Sequence, residues 1–200
     1  MPAIGVTGGV GTGKSSFVRA FVGQMACTVF DADACVHELL EKDAAVLERI
    51  RSEFGDSVFA PGGSFSRTAM RELAFHDPEA RKRLEGILHP AVRERWQPLA
   101  SAARTSREIV LLDIPLLYET GAESECDRVL VIACSPTTQR DRLLQKRGLA
   151  PELIERMIGA QLDLAVKVNR ADHVVWNDGS PTALDEQARL FAAFLRELYV

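Results

Sequence analysis

Two kinds of apolar run alternate along the chain. The short ones, at 3–7, 27–30, 109–112, 129–133 and 173–176, contain little polar alternation, and each stops at a glycine or a polar residue: Gly8, Asp31, Asp113, Ser135 with Pro136, and Asn177. Runs of this length without alternation predict strands buried on both faces, as in a parallel sheet. The longer runs have helical spacing. Phe17, Val18, Phe21 and Val22 mark a helix over 15–25, and Val36, Leu39, Leu40, Val46, Leu47, Ile50 and Phe54 form one stripe. A long helix is predicted over 89–103, an amphipathic face at Leu153, Ile154, Met157, Ile158 and Leu162, and a last helix carrying Leu184, Ala188, Phe191, Leu195 and Leu198 inward. Strands separated by helices give an α/β class, a doubly wound five-stranded parallel sheet whose carboxyl edge gathers the polar strand ends.

The spacing between strands is uneven. A crossover needs about a dozen residues, so 36–107 reads as an inserted helical subdomain with a turn at Pro61, Gly62 and Gly63. The charged helical stretch 139–170 reads as a lid over the phosphate edge. The nucleotide-binding core is then 1–35, 108–138 and 171–200, all within one P-loop-type domain.

Composition narrows the class. The 200 residues are 46% hydrophobic and 26% charged, enough for one sizeable core. A net charge of −4 argues against a broad nucleic-acid-binding surface, so any anion site is local. No run reaches the roughly 18 apolar residues of a membrane span, and the first fifteen residues lack a secretory pattern. Cys27, Cys35, Cys126 and Cys134 show no C-x-x-C or zinc spacing and are expected as free thiols in a reducing compartment. The expectation is a cytoplasmic protein without nucleic-acid or membrane partners, a monomer or small homo-oligomer.

Gly8-Gly-Val-Gly-Thr-Gly13-Lys14-Ser15 fits G-x-x-x-x-G-K-[ST] between a predicted strand and a predicted helix, the context that gives the motif meaning. Its backbone amides at Gly11, Thr12, Gly13, Lys14, Ser15 and Ser16 are expected to face the phosphates of ATP. Lys14 reaches the β- and γ-phosphates, and Ser15 is a ligand for Mg²⁺, with Asp113 at the end of a Walker B strand binding the same ion through water. Asp31 and Asp33 close the second strand; one is expected to accept the proton of an attacking hydroxyl, the other to hold metal or orient the first. His37, four residues on from Asp33, either touches substrate or caps Asp33. Arg142 and Arg147 suit closure on a triphosphate, and Asn177 suits an adenine edge or a plain turn. Two kinds of P-loop protein remain open at this point: a nucleoside or nucleotide kinase, and a nucleotide-switched regulatory module.

Further segments carry a resemblance. The P-loop with Thr7, Asp31-Ala-Asp33 with His37, His89-Pro-Ala-Val-Arg93, and Ile114-Pro-Leu-Leu-Tyr-Glu119 stand in an order that resembles the dephospho-CoA kinases. Gln139, Arg142, Arg147, Gln161, Lys167, Ala171-Asp172 and Asn177-Asp-Gly179 extend the resemblance over nearly the whole chain. It implies transfer of the γ-phosphoryl group of ATP to the ribose 3′-hydroxyl of dephospho-CoA, the last step of coenzyme A biosynthesis. It also implies Asp33 as catalytic carboxylate, Lys14 as P-loop lysine and Arg142 as lid arginine. Asp31, His37, His89, Arg93, Leu116 and Gln161 are expected to meet the acceptor. The chain departs from the family at Ser16, often Thr, and at Leu164, where a basic lid residue is expected.

Overall fold

The computed structural model describes residues 2–106, 108–146 and 148–199. The chain divides into two compact units, Met1–Phe30 with Leu99–Val200, and Asp31–Pro98. The second unit therefore differs from the expected insert at 36–107, and its last boundary falls inside a helix.

The first unit is built on a five-stranded parallel sheet in the order β2-β3-β1-β4-β5, with β1 Ala3–Gly8, β2 Cys27–Asp31, β3 Ile109–Asp113, β4 Arg128–Ala133 and β5 His173–Trp176. β1 is the middle strand, in parallel register with β3 from Ala3↔Val110 to Val6↔Asp113 and with β4 from Ile4↔Arg128 to Gly8↔Ile132. That register brings Gly8 and Asp113 to the same edge. Every residue of β1 and β3 is buried, which is why both read as continuous apolar runs. The edge strands are less covered than the sequence suggests. Val29 of β2 and Val174 and Trp176 of β5 stay exposed, since an edge strand has neighbours on one side only.

On one face α1 (Lys14–Val22) packs against α9 (Pro181–Tyr199), where Phe17, Phe21 and Phe191 meet at ring-centroid distances of 5.7 to 6.2 Å. Leu184, Ala188, Phe191 and Leu195 are buried as expected. Leu198 is not: it is 46% exposed, and Tyr199 packs instead, its hydroxyl accepting from Arg128 Nε at 2.9 Å. No described helix is long and apolar enough to cross a membrane.

The second unit holds α2 (Ala32–Lys42), α3 (Ala44–Phe54), α4 (Arg67–His76) and most of α5 (Pro78–Ala103). α5 begins well before residue 89, where the sequence places its start. Asp31 caps α2 by accepting from Ala34 N–H at 2.9 Å, and Asp43 caps α3 by accepting from Ala45 and Val46 N–H at 3.1 Å. The Val46 amide and the Arg95 guanidinium hold the Asp43 carboxyl below its ordinary range. Leu39, Leu40, Val46 and Ile50 of the predicted stripe are buried, while Val36, Leu47 and Phe54 are half-buried. The turn at Pro61–Gly63 closes a small antiparallel bridge between Phe59 and Phe65.

Candidate active site

β1 delivers the chain to Gly8, and α1 starts at Lys14 with Gly13 as its N-cap, so the intervening residues must turn within one loop. Gly13 has φ +94°, a left-handed conformation that side chains disfavour. A Cβ there would also collide with Asn177 Nδ2, and one at Gly8 would collide with the Ile132 carbonyl of β4. Gly13→Ala is therefore expected to cost at least the about 1–2 kcal/mol of a left-handed non-glycine residue, read as a lower urea midpoint at unchanged m-value.

No side chain caps α1. Its first amides remain available to an anion, and the helix dipole favours negative charge at that point. The carbonyls of Gly9, Val10, Thr12 and Gly13, by contrast, are tied away. Gly9 O accepts from Thr12 N–H at 3.3 Å and Thr12 Oγ1 at 2.8 Å, and Val10 O accepts from Gln139 Nε2 at 2.7 Å. Thr12 O accepts from Asn177 Nδ2 at 2.8 Å and Arg142 Nη1 at 3.1 Å, and Gly13 O takes the first helical amides, Ser16 and Phe17. Among the described residues, the amides of Gly11, Gly13, Lys14 and Ser15 have no hydrogen-bond partner. With these carbonyls bound and these four amides free, the loop can cradle an anion.

Lys14 Nζ forms an ion pair with Asp113, whose carboxylate is nearly buried at the end of β3. Ser15 and Ser16 lie exposed in the first turn of α1. Arg142 opens the π-turn 142–146 that follows α6 (Pro136–Asp141), and its second nitrogen donates to Asn177 O at 2.8 Å. The structure thus puts Arg142 and Asn177 together on Thr12 O, on the loop's outer side, with the Asn177 side chain buried. Arg147 lies outside the described residues.

The neighbouring turn is held by charge. Asp178 accepts from Ser135 N–H at 2.9 Å and Trp176 Nε1 at 2.6 Å, and hydrogen bonds from Thr138, Ser135 and Trp176 hold its carboxyl down at about 2. Lys167 of α8 (Leu164–Arg170) is fully buried; it donates to Pro115 O at 3.1 Å and pairs with Glu119 at 2.8 Å. Pro115 O also accepts from Thr7 Oγ1 at 2.9 Å, so the segment after β3 is fastened to β1 and α8 together. Leu116 is half-buried there. Gln161, expected among the acceptor's contacts, accepts from Val10 N–H at 2.9 Å through Oε1. Gln139 was not expected in the site as a contact of any kind, although its place in the family-like segment marks it.

In the second unit, Asp31 spends one carboxylate oxygen on the α2 cap, while Asp33, in the first turn of α2, is exposed. His37 is also exposed, and both ring nitrogens lie 3.2 Å from Arg67 Nη1, with Arg67 Nη2 at 3.5 Å from Glu41. The helix thus gives His37 an arginine neighbour that the sequence does not announce. His89 and Arg93 are half-buried on α5, four residues apart and so on one face. The Arg93 guanidinium is 5.7 Å from the centre of the Trp96 ring.

The chain is similar to known proteins over most of its length. A dephospho-CoA kinase from Symbiobacterium thermophilum is 43% identical over 181 residues, 90% of this chain and 75% of its own. One from Anaeromyxobacter dehalogenans is 40% identical over 197 residues, 98% of this chain and 93% of its own. The solved dephospho-CoA kinase from Campylobacter jejuni superposes with a TM-score of 0.72 at 25% identity, covering 98% of this chain and 96% of that one. With residues 2–183 matching the family model for dephospho-CoA kinase on top of a five-stranded parallel sheet whose first strand runs into the glycine loop, the chain belongs to the dephospho-CoA kinase family.

Proposed function

We propose that this chain phosphorylates dephospho-CoA with ATP, the P-loop holding the triphosphate and Asp33 receiving the proton. The observation that carries this reading is the loop of free amides at Gly11, Gly13, Lys14 and Ser15 with Lys14 beside it. The amides bind the β- and γ-phosphate oxygens, and Lys14 follows the charge as it moves to the β-phosphate. Asp33 accepts the proton of the ribose 3′-hydroxyl as that oxygen forms its bond to the γ-phosphorus. The bond from the γ-phosphorus to the bridging oxygen breaks, and ADP leaves with the electron pair. Arg142 steadies the loop through Thr12 O and lends its charge to the transferring phosphoryl group. Asn177 shapes the adenine side of the cradle.

Mg²⁺ fits the donor set at this edge. The Ser15 hydroxyl and the Asp113 carboxylate are hard oxygen donors, and Asp113 stands beside Lys14, where β3 ends. Ser15 would hold the ion directly and Asp113 through water, and the ion would supply charge neutralisation to the triphosphate. His37, His89, Arg93 and Leu116 are assigned to the acceptor, with Asp31 orienting α2. The four free thiols, among them Cys126 pushed up to about 12 by burial, suit a reducing cytoplasm.

The test is an acceptor panel. Incubated with Mg-ATP and, separately, dephospho-CoA, adenosine, CMP or pantothenate, the protein is expected to add one phosphoryl mass to dephospho-CoA, with ADP formed in equal amount. Mass gain confined to a nucleoside or nucleotide replaces this reading with another kinase of the P-loop class. ATP binding without any transfer leaves a regulatory module.

A further inference from the structure

Two side chains that hold the P-loop touch no phosphate in the scheme above. Gln139, buried near the end of α6, donates to Val10 O, and Gln161, between α7 (Pro151–Gly159) and α8, accepts from Val10 N–H. The donor and the acceptor of one loop residue are thus satisfied by two amide side chains from 139–161, as a neighbouring strand would satisfy them. A polar side chain as buried as Gln139 is tolerated only when bonded, and its bond is to the loop. The chain makes room for it: a Cβ at Gly9 would stand 2.8 Å from Gln139 Nε2.

We infer that Gln139 and Gln161 are positioning residues for the phosphate cradle. By gripping the Val10 backbone they keep the loop's carbonyls turned outward and the amides of Gly11, Gly13, Lys14 and Ser15 convergent, so the lid segment sets triphosphate affinity without contacting the ligand. Loss of either grip releases one side of Val10, and the amides then have to be ordered again when the anion binds. The inference rests on the triphosphate reading of the P-loop.

The experiment measures binding of inorganic tripolyphosphate and of ATP by calorimetry in the parent, Gln139→Leu, Gln161→Ala and the double variant, with steady-state kinetics alongside. Each single change is expected to weaken both anions by about 5- to 10-fold, the usual worth of one net hydrogen bond. The double variant is expected to lose little more than the weaker single one, because both act on one residue. The KM for dephospho-CoA stays within about twofold in all of them. Amide exchange at Val10 is expected to quicken in Gln161→Ala and to hold in Gln139→Leu. Gln161 is half-exposed, so its variant carries the test whether or not the leucine variant folds. Tripolyphosphate affinity at the parent value in folded Gln161→Ala, or a raised acceptor KM with ATP affinity unchanged, overturns the inference. A parent protein that binds no tripolyphosphate overturns the P-loop reading instead.

Discussion

Lys14→Ala is expected to lower turnover by at least about 10³-fold, at the upper end of what one preorganised charge contributes to a developing anion. The residue does two things in this structure. It stands at the start of α1 beside the phosphate cradle, and it pairs with the nearly buried Asp113. A side chain that served phosphates alone would leave stability untouched. Removing Lys14 instead takes the counter-charge away from a carboxylate in a poorly hydrated place, so about 1 kcal/mol or more of stability is expected to go as well. At this size that is a fall in Tm of roughly 2–4 °C per kcal/mol. Lys14→Arg separates the two roles. It keeps a cation for Asp113 and is expected to restore most of the Tm, but the planar guanidinium does not replace a compact ammonium between two phosphates, so turnover stays low. Parental turnover in folded Lys14→Ala removes the P-loop lysine from the mechanism.

The second large effect concerns Asp33. Asparagine keeps the shape and one acceptor oxygen but takes no proton, so Asp33→Asn is expected to bind ATP and dephospho-CoA normally and to turn over about 10²- to 10⁴-fold more slowly. The loss belongs near the lower figure, since a loose phosphoryl-transfer transition state demands little of a base. Asp33 is exposed in the first turn of α2, and its charge there is worth only about 0.3–1 kcal/mol against the helix dipole. The fold is therefore expected to survive. Asp31→Asn is the control: asparagine caps a helix as well as aspartate does, so the bond to Ala34 N–H persists and turnover stays within about threefold. Parental activity in Asp33→Asn, measured by single-turnover transfer, sends the base role to Asp31 or Asp113.

Several parts of the site are local and were readable along the chain. Glycines at the turn, a lysine and a serine at the first helical positions, and a carboxylate ending an apolar strand all report on backbone geometry within a few residues, and periodicity shows which runs are strands. The parallel class follows in the same way, because β1 and β3 have no polar face to show to water. The cap at Asp31 is equally local.

Other features depend on partners far away in sequence, and composition says nothing of them. Val10 is gripped by Gln139 and Gln161, Thr12 by Arg142 and Asn177, and Pro115 by Thr7 and Lys167, over separations from 52 to 165 residues. Which polar side chain reaches which carbonyl is settled when the strands take their order and the helices fold back over the sheet edge. Arg142 and Gln161 read as ligand contacts along the chain, and the fold in addition ties both to the loop's backbone. The same holds for burial at the margins: Leu198 and the edge-strand residues Val174 and Trp176 look like core by pattern and stay exposed for want of a covering element. Local chemistry names the groups that meet a phosphate, and long-range packing decides which of their neighbours hold them still.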